Sequence, residues 1–258
     1  MKAVILLAHG TPESLDQMPD YLARVRGGRP PSPELIAEMT SNYTAIGGRS
    51  PLTDITRAQA SALAAELGDG TPVYVGMRNW DPYIADAVAA AAPPGIPVRT
   101  VSSWHDHPGL IAAFAEKVRA EAPRPEETVL FTAHSLPVRL IENGDPYAAE
   151  VAATAAAVAR AAGIASYERA WQSAGRTPEP WLGPSVEEAL RSLHARGVRA
   201  VLAVPIGFVC DHTEILFDID VQAAREAARL GVALRRTESL NTSPTLIRAL
   251  ADLVRGLR

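Results

Sequence analysis

The stretch Leu130-Phe-Thr-Ala-His-Ser-Leu-Pro137 has an echo near the start of the chain, in Ile5-Leu-Leu-Ala-His-Gly-Thr-Pro12. Each stretch is a short apolar run, typical of a buried strand, that ends in a histidine and has a proline three residues later. The repetition predicts that both halves of the chain contain the same strand-based unit. Ligands of open parallel sheets bind beyond the carboxyl ends of the strands, so His9 and His134 are predicted at ligand-binding edges.

Short apolar runs alternate with helical patterns along all 258 residues, which is typical of parallel sheets covered by helices. The predicted strands are 3–8, 72–75, 98–102, 128–133, 165–170, 200–205 and 233–237. The predicted helices include 54–67, 108–122, 146–162, 185–195, 212–230 and 243–257. We expect an α/β fold of two similar doubly wound (Rossmann-like) parallel-sheet lobes, residues 1–125 and 126–258, with a cleft between them. The last helix is in a position to pack back on the first lobe.

The composition excludes several classes of protein. Asp and Glu number 29 against 25 Lys and Arg, so the chain lacks the basic character of a nucleic-acid-binding protein. The single cysteine, Cys210, excludes an intrachain disulfide and an iron–sulfur cluster held by several thiolates. No apolar run is long enough to span a membrane. We expect a cytoplasmic protein with no transmembrane segment, no tightly bound cofactor and no nucleic-acid partner.

The position of His134 at the end of a strand has two interpretations. The ring either caps the strand through backbone hydrogen bonds, or it faces a ligand site as a neutral imidazole. In the second case it can bind a metal or accept a proton near neutral pH.

The segment Pro205-Ile-Gly-Phe-Val-Cys-Asp-His-Thr-Glu-Ile-Leu-Phe-Asp-Ile-Asp220 predicts a strand end, a glycine-containing loop and a helix. On such a helix Asp211, Glu214 and Asp218 share one face, where their like charges repel. This face is either a solvated acidic stripe or a path for a hard divalent cation, because carboxylates are suitable ligands for such ions.

Two further segments carry aromatic and imidazole groups. The loop Trp171-Gln-Ser-Ala-Gly-Arg-Thr-Pro-Glu-Pro-Trp-Leu-Gly-Pro184 is long, and its tryptophans are suited to form a wall against a flat aromatic ligand. In Trp104-His-Asp-His107 the two histidines share a face of an extended segment, which leaves a metal site as one interpretation and a surface role as the other.

Three motifs, in this order, resemble the ferrochelatases, enzymes that insert ferrous iron into a porphyrin. Residues 131–137 resemble the catalytic-histidine motif, 171–184 the substrate-wall loop and 207–214 the metal-carboxylate motif. The amino-terminal part is similar to the coproporphyrin ferrochelatases in particular, through residues 8–12, 26–29, 33–34 and 43–51. The resemblance covers both halves of the chain.

The resemblance implies a class II chelatase-like fold and a role in haem biosynthesis. The implied substrates are Fe2+ and a porphyrin, with coproporphyrin III favoured and protoporphyrin IX as the alternative. His134 and Glu214 would be catalytic and, together with Asp218, would handle the metal. The residues implied in substrate binding are His9, Arg26, Asn42, Tyr43, Ser50, His105 and Trp181.

The chain also departs from the family pattern. His9 and His105 stand where the coproporphyrin subgroup has tyrosine, and Asn42 stands where it has arginine. Between Trp80 and Val101 the chain lacks one strand–helix unit, so the first lobe is expected to be smaller. We hypothesise that His9 is a second metal-facing group opposite His134. The alternative functions are a non-catalytic tetrapyrrole or haem carrier and, more distantly, a metal-free sugar- or nucleotide-binding domain.

Overall fold

The computed structural model describes residues 3–92 and 95–257, which form two compact units. The first unit contains the residues up to Ser102, residues 210–213 and the chain from Asn241 onward. The second unit contains Ser103–Val209 and Glu214–Leu240. The division therefore falls earlier than residue 125, because the helix that follows Ser103 packs on a helix of the second unit. The cleft expected between the lobes stays a prediction.

The first unit has a two-stranded parallel sheet in its described residues, formed by β1 (Val4–Ala8) and β2 (Val73–Met77). Its helices are α1 (Met18–Val25), α2 (Pro33–Ala45), α3 (Leu52–Leu67), α4 (Ile84–Ala91) and α11 (Pro244–Gly256). The terminal helix α11 packs on α3, where Ala251 meets Leu63 and Leu67 in a shared apolar cluster. Ser243 begins α11 by accepting a hydrogen bond from the amide of Leu246, which satisfies one of the unpaired donors at a helix start.

The second unit is built on a four-stranded, fully parallel sheet in the order β4-β3-β5-β6. Its strands are β3 (Glu127–His134), β4 (Tyr167–Gln172), β5 (Ala200–Val204) and β6 (Ala233–Arg236). Its helices are α5 (Pro108–Ala120), α6 (Val138–Glu142), α7 (Tyr147–Ala162), α8 (Val186–Ala195), α9 (Thr213–Leu216) and α10 (Ala224–Leu230). A π-helical segment, Asp218–Ala223, lies between α9 and α10.

The central strands of this sheet, β3 and β5, are buried on both faces, as is typical of parallel sheets. On one face Leu130 and Val201 pack with Leu190 of α8, and on the other Phe131 and Leu202 are buried. The helix α8 opens with a capping box in which Ser185 and Glu188 each accept from the backbone amide of the other. Apolar central strands and the capped helix α8 therefore explain why this part of the chain forms the predicted parallel sheet.

The strand order places a topological switch point between β3 and β5. The chain runs outward from β3 to β4, then returns past β3 to form β5 and continues to β6. Successive crossovers therefore leave the sheet in opposite directions at β3 and β5, and ligands of open parallel sheets bind beyond the carboxyl ends of strands at such a point. His134 is the last residue of β3, and the loop after β5 leads to Glu214.

The α/β class with parallel sheets is confirmed, but several elements differ from the predicted ones. Residues 98–102 are not a strand: they lack regular structure, Val98 is 69% exposed, and the Arg99 guanidinium binds the carbonyl of Leu257. The Val-rich composition of this segment favours a strand, but the segment pairs with neither β1 nor β2. The sequence patterns also missed α1, α2 and α4. Within the described ranges, no helix is both long and apolar enough to cross a membrane.

Candidate active site

The imidazole of His134 and the carboxylate of Glu214 meet at the switch point of the second unit. Nδ1 of His134 lies 3.0 Å from Oε2 of Glu214, and both side chains keep about a third of their surface exposed, at 33% and 34%. Nε2 of His134 has no hydrogen-bond partner among the described residues. A carboxylate thus holds one ring nitrogen and leaves the other open, an arrangement that fixes the ring orientation.

The loop that leads from β5 to Glu214 makes a close contact with the end of β3 at Gly207. The amide of Gly207 donates to the carbonyl of Thr132 at 3.1 Å. A Cβ atom at Gly207 would lie only 2.6 Å from Cβ of Ala133, the residue before His134. Glycine is therefore required here so that the loop can approach the strand.

The end of β4 holds the main chain of both site residues. Gln172 pairs in register with His134, and its carbonyl accepts from the amide of Ser135 at 2.7 Å. The side-chain amide of Gln172 donates to the carbonyl of Glu214 at 2.6 Å. Gln172 is buried, so this bridge joins β3, β4 and α9 away from solvent.

Asp218 reaches the same end of the sheet through the π-helical segment. Its carboxylate accepts a hydrogen bond from the hydroxyl of Ser173, which follows β4 and adopts a positive φ of 59°. Such a backbone conformation is strained for a residue with a side chain and is frequent at functional sites. The wide π turn also changes the register between Glu214 and the residues after Asp218, and π segments often occur at such sites.

The predicted single acidic face is wrong for Asp211. The helix begins at Thr213, so Asp211 lies in the preceding loop. There its amide donates to Oδ1 of Asn241, and the amide group of Asn241 donates to its carboxylate. The side-chain and backbone contacts of Asn241 therefore hold Asp211 in the first unit.

The electrostatic surroundings favour a proton on His134. Burial lowers the pKa of His134, but the hydrogen bond to Glu214 and the charges of Glu214 and Asp218 outweigh it and leave the pKa above its ordinary value of 6.5. Burial, followed by the charge of Glu214, raises the pKa of Tyr147 to about 12. The phenol of Tyr147 therefore stays a donor, and it donates to the carbonyl of His134 at 3.0 Å.

Trp181 lies on the loop between β4 and α8, which docks on the segment after His134. The amide of Leu182 donates to the carbonyl of Leu136, and the amide of Val138 donates to the carbonyl of Pro180. The indole of Trp181 donates to Thr177 at 3.0 Å, and a Cβ at Gly175 would lie 2.4 Å from the indole ring. The half-buried Trp181 is thus held by its own loop beside the His134 segment.

His105 belongs to the same unit and lies in the segment before α5. Its Nδ1 is 2.9 Å from Oγ of Ser103 and 3.4 Å from Oε1 of Glu150, which is on α7. His107 does not share this environment, because its Nδ1 accepts from the amide of Gly109 and caps α5.

The first unit holds the other histidine of the repeated motif. His9 follows β1 and is exposed. Its Nε2 accepts from the side-chain amide of Asn79 at 3.0 Å, and its Nδ1 donates to the carbonyl of Gly10 at 3.1 Å. The hydroxyl of Tyr21 lies 3.5 Å from the same Nδ1. A metal could therefore reach Nε2 only by displacing Asn79, and the metal-facing role of His9 stays a hypothesis.

The remaining predicted substrate-binding residues lie in the first unit. The hydroxyl of the buried Tyr43 is 2.8 Å from the Thr11 hydroxyl, two residues after His9. Ser50 is buried, and its hydroxyl accepts from the amide of Leu52 at the start of α3. Arg26 is exposed at the end of α1, and Asn42 is half-buried on α2. Their roles toward a ligand stay predictions.

No three His, Cys, Asp or Glu side chains in the described ranges lie close enough to hold a metal ion together. His134 and Glu214 thus supply two ligands between them, fewer than the four of a structural zinc site. Burial raises the pKa of Cys210 to about 12, so its sulfur is a neutral thiol rather than a metal-binding thiolate.

Three residues that build the site are not among the predicted site residues: Tyr147, Gln172 and Ser173. Gln172 and Ser173 lie two and three residues after the predicted strand 165–170, and a position near a strand end is a usable signal. Tyr147 lies within a predicted helix, and nothing in its sequence neighbourhood indicates that its hydroxyl meets His134.

The second unit thus combines a four-stranded parallel sheet with an imidazole and a carboxylate at its switch point. A solved multi-domain protein of Deinococcus radiodurans, described as structurally similar to chelatases, aligns with a TM-score of 0.54 at 13% identity. The alignment covers all of this chain and 55% of that protein, so this chain spans about half of its length, and the likeness concerns the fold alone.

The sequence relatives identify the family. The ferrochelatase family model matches residues 1–96 and 89–257. A ferrochelatase of Deinococcus radiodurans is 40% identical over 97% of this chain and 94% of its own length. A ferrochelatase of Herpetosiphon aurantiacus is 37% identical over 98% of each chain, and a coproporphyrin III ferrochelatase of Geobacillus thermodenitrificans is 36% identical over 97% and 94%. The chain belongs to the ferrochelatase family and is an enzyme of metal insertion into porphyrin.

The same comparisons show where this chain is shorter. Its alignment with the Deinococcus ferrochelatase runs over 297 positions, more than the 258 residues available here. The family match is in two pieces that meet at residues 89–96, at the end of α4. The relative therefore carries a stretch that this chain lacks.

Proposed function

We propose that this enzyme inserts Fe2+ into coproporphyrin III in haem biosynthesis, with His134 and Glu214 as its catalytic pair. The observation that carries the proposal is the 3.0 Å contact between these two side chains at the switch point. The coproporphyrin III ferrochelatases among its relatives, at 33–36% identity, support this substrate. Arg26 and Arg29, both exposed in the first unit, are suited to bind the carboxylates of such a porphyrin.

The reaction exchanges protons for a metal ion without any change of oxidation state. The porphyrin loses two pyrrole protons, and its four nitrogens bind the incoming Fe2+. In the proposed mechanism the neutral form of His134 accepts one pyrrole proton at Nε2, and Glu214 stabilises the resulting imidazolium through Nδ1. The imidazolium releases this proton to water and then accepts the second pyrrole proton in the same way. The neutral ring of His134 can also bind Fe2+ as a transient ligand. Its two proposed roles, proton acceptor and metal ligand, can then alternate during one insertion.

Carboxylates replace water around the ion before it enters the ring. Glu214 and Asp218 both lie at the carboxyl end of the sheet, and oxygen ligands suit a hard divalent ion. Trp181 is proposed to contact the porphyrin face, which would help to hold the flat ring while it is distorted. This scheme needs no resident cofactor and no iron–sulfur cluster.

An anaerobic insertion assay with Fe2+ tests the proposal. Coproporphyrin III and protoporphyrin IX are compared as substrates, and we expect a higher kcat/KM for coproporphyrin III. His134→Ala and Glu214→Gln are each expected to lower kcat at least 100-fold while porphyrin fluorescence still reports binding. His194→Ala is the control, because His194 is an imidazole in the last turn of α8, which precedes the start of β5.

Three results would contradict the proposal. Preference for protoporphyrin IX would remove the substrate assignment alone. Full activity of either site variant would remove the catalytic assignment. Stoichiometric haem binding without turnover would favour the carrier function instead.

A further inference from the structure

The loop between β4 and α8 contains a chain of hydrogen bonds that ends on the indole of Trp181. The indole N–H donates to Oγ1 of Thr177 at 3.0 Å. The hydroxyl of Thr177 lies 3.1 Å from Oε1 of Glu179, and Oε2 of the same carboxylate accepts from Nε of Arg139 at 2.5 Å. Arg139 is on α6, which follows His134, so the chain joins this loop to the segment that leaves the site.

The direction of each bond in this chain is fixed by the chemistry of its groups. An indole N–H and a guanidinium only donate, whereas an ionised carboxylate only accepts. The one hydrogen of the Thr177 hydroxyl is therefore donated to Glu179, and its oxygen is left to accept from Trp181. The hydrogen bond from Arg139 lowers the pKa of Glu179, which keeps this carboxyl group ionised near neutral pH. Each bond polarises the next, so the chain stabilises the indole as one unit.

Packing against the loop also holds the indole. A Cβ atom at Gly175 would lie 2.4 Å from Cζ2 and 2.6 Å from Cη2 of Trp181, so the ring rests directly on the backbone of its own loop. The backbone of Trp181 forms a bridge with Pro137. The ring edge that carries Nε1 and Cζ2 is therefore fixed against the loop, and the orientation of the ring is set by residues of the second unit itself.

A partner for the indole N–H within the fold is important because a flat ligand excludes water. Trp181 is half-buried, and its N–H would otherwise bond to solvent. A porphyrin that lies on the indole displaces that solvent, and an N–H without a partner then costs binding free energy. A ring that is already held in one orientation also loses less conformational freedom on binding. Both effects favour a tryptophan whose N–H is satisfied in advance.

We propose that the side chains of Thr177, Glu179 and Arg139 are positioning groups that hold the neighbouring indole in the orientation that receives the porphyrin face. The inference rests on the proposed function, in which Trp181 contacts the porphyrin. The three positioning residues act through Trp181 and do not touch the substrate. They therefore set the affinity for the flat ring and not for its carboxylates.

Porphyrin binding without metal tests this role. Fluorescence titration gives the Kd of coproporphyrin III and of its tetramethyl ester, which keeps the ring and lacks the charges. Thr177→Val keeps the size of the side chain and removes the hydroxyl, so we expect it to weaken binding of both compounds about threefold to tenfold. Thr177→Ser keeps the hydroxyl and should keep the wild-type affinity for both. A loss for the tetra-acid alone would overturn the proposal.

The ion pair is tested separately. Glu179→Gln and Arg139→Gln should each weaken binding of both compounds about twofold, a smaller loss because the pair is exposed and acts through Thr177. Glu168→Gln is the matched control and should leave both Kd values unchanged, because Glu168 also pairs with an exposed arginine but lies near the start of β4. If Arg139→Gln weakened binding of the tetra-acid alone, the guanidinium would bind a propionate directly, and its positioning role would be overturned.

A double-mutant cycle distinguishes positioning from a general effect on the loop. Trp181→Phe keeps an aromatic ring and has no N–H, so in that background Thr177→Val should no longer change either Kd. The indole N–H signal of Trp181 in the NMR spectrum gives a second readout, and Thr177→Val should speed its hydrogen exchange. An undiminished loss of affinity in the Trp181→Phe background, or an unchanged exchange rate of the indole, would overturn the proposal.

The design also separates this inference from the proposed function. Binding is read without iron, so the result holds whether or not the enzyme completes insertion. If Trp181→Ala leaves both Kd values unchanged, the proposed contact of Trp181 with the porphyrin is wrong, and this inference falls with it. If Trp181→Ala weakens binding and Thr177→Val does not, the inference alone is overturned.

Discussion

Replacing Gly207 with alanine adds one methyl group where the loop after β5 touches the end of β3. The new Cβ would lie 2.6 Å from Cβ and 2.7 Å from Cα of Ala133, whereas carbon atoms in contact are normally about 3.5–4.0 Å apart. Ala133 has no side-chain rotamer that relieves the clash, so the loop must move by about 1 Å. We expect Gly207→Ala to cost about 2 kcal/mol, within the range for overpacked cores.

Two measurements check this prediction. A loss of about 2 kcal/mol should lower Tm by about 4–8 °C in a protein of this size. The loop leads to Glu214, so its contact with His134 should lengthen and the insertion rate should fall about tenfold or more. Gly256→Ala is the control, since no atom within 4 Å would meet a Cβ there. A Gly207→Ala enzyme with wild-type Tm and wild-type rate would refute the close-contact argument.

Further predictions concern charge and the core. In the Glu214→Gln variant the pKa of His134 should fall, because the ring loses the carboxylate that raises this pKa. NMR titration of labelled histidines measures the pKa. An unchanged value would contradict the assigned role of Glu214. Arg235 lowers the pKa of Glu127 to about 2 chiefly through its hydrogen bond, so this pair stabilises the fold above pH 4.5 and loses that effect as the pH falls toward 2. Arg235→Gln should therefore cost about 1–2 kcal/mol at pH 7, after allowance for solvent screening, and the difference in Tm from wild type should shrink at pH 3. Leu190→Ala, at a fully buried position, should cost about 2–5 kcal/mol in denaturant unfolding while porphyrin Kd stays near wild type.

The parts of the fold that sequence patterns predict are those governed by local apolar periodicity. The predicted strands 128–133, 165–170, 200–205 and 233–237 coincide with β3 to β6. The apolar signal is clearest for the central strands β3 and β5, whereas the edge strands β4 and β6 include charged residues. Residues 98–102 show the limit of this signal. A Val-rich run forms a strand only where a neighbouring strand offers a free edge in reach, and that depends on the rest of the fold.

The site shows the same limit. The strand end indicates His134 and the resemblance indicates Glu214, and the structure brings these two side chains within 3.0 Å of each other. Their role in catalysis stays a prediction. Helical spacing placed Asp211 on the same face as Glu214, but the helix starts two residues after Asp211. The π-helical segment that begins at Asp218 could not be predicted from the sequence either. The hydrophobic periodicity of a helix does not show where a turn contains one extra residue. The contacts of Tyr147 join residues distant along the chain and follow from the assembled fold.

The packing of α11 on α3 has a consequence for synthesis. Leu63 and Leu67 are translated early, yet the cluster that buries them includes Ala251, close to the end of the chain. Domains usually fold in order as they leave the ribosome. Here the amino-terminal unit must wait, with part of its apolar surface uncovered, until the residues of α11 have emerged. A released chain that stops shortly before residue 244 should therefore form the second sheet and leave the first unit unfinished, which is the form most exposed to chaperones and proteases.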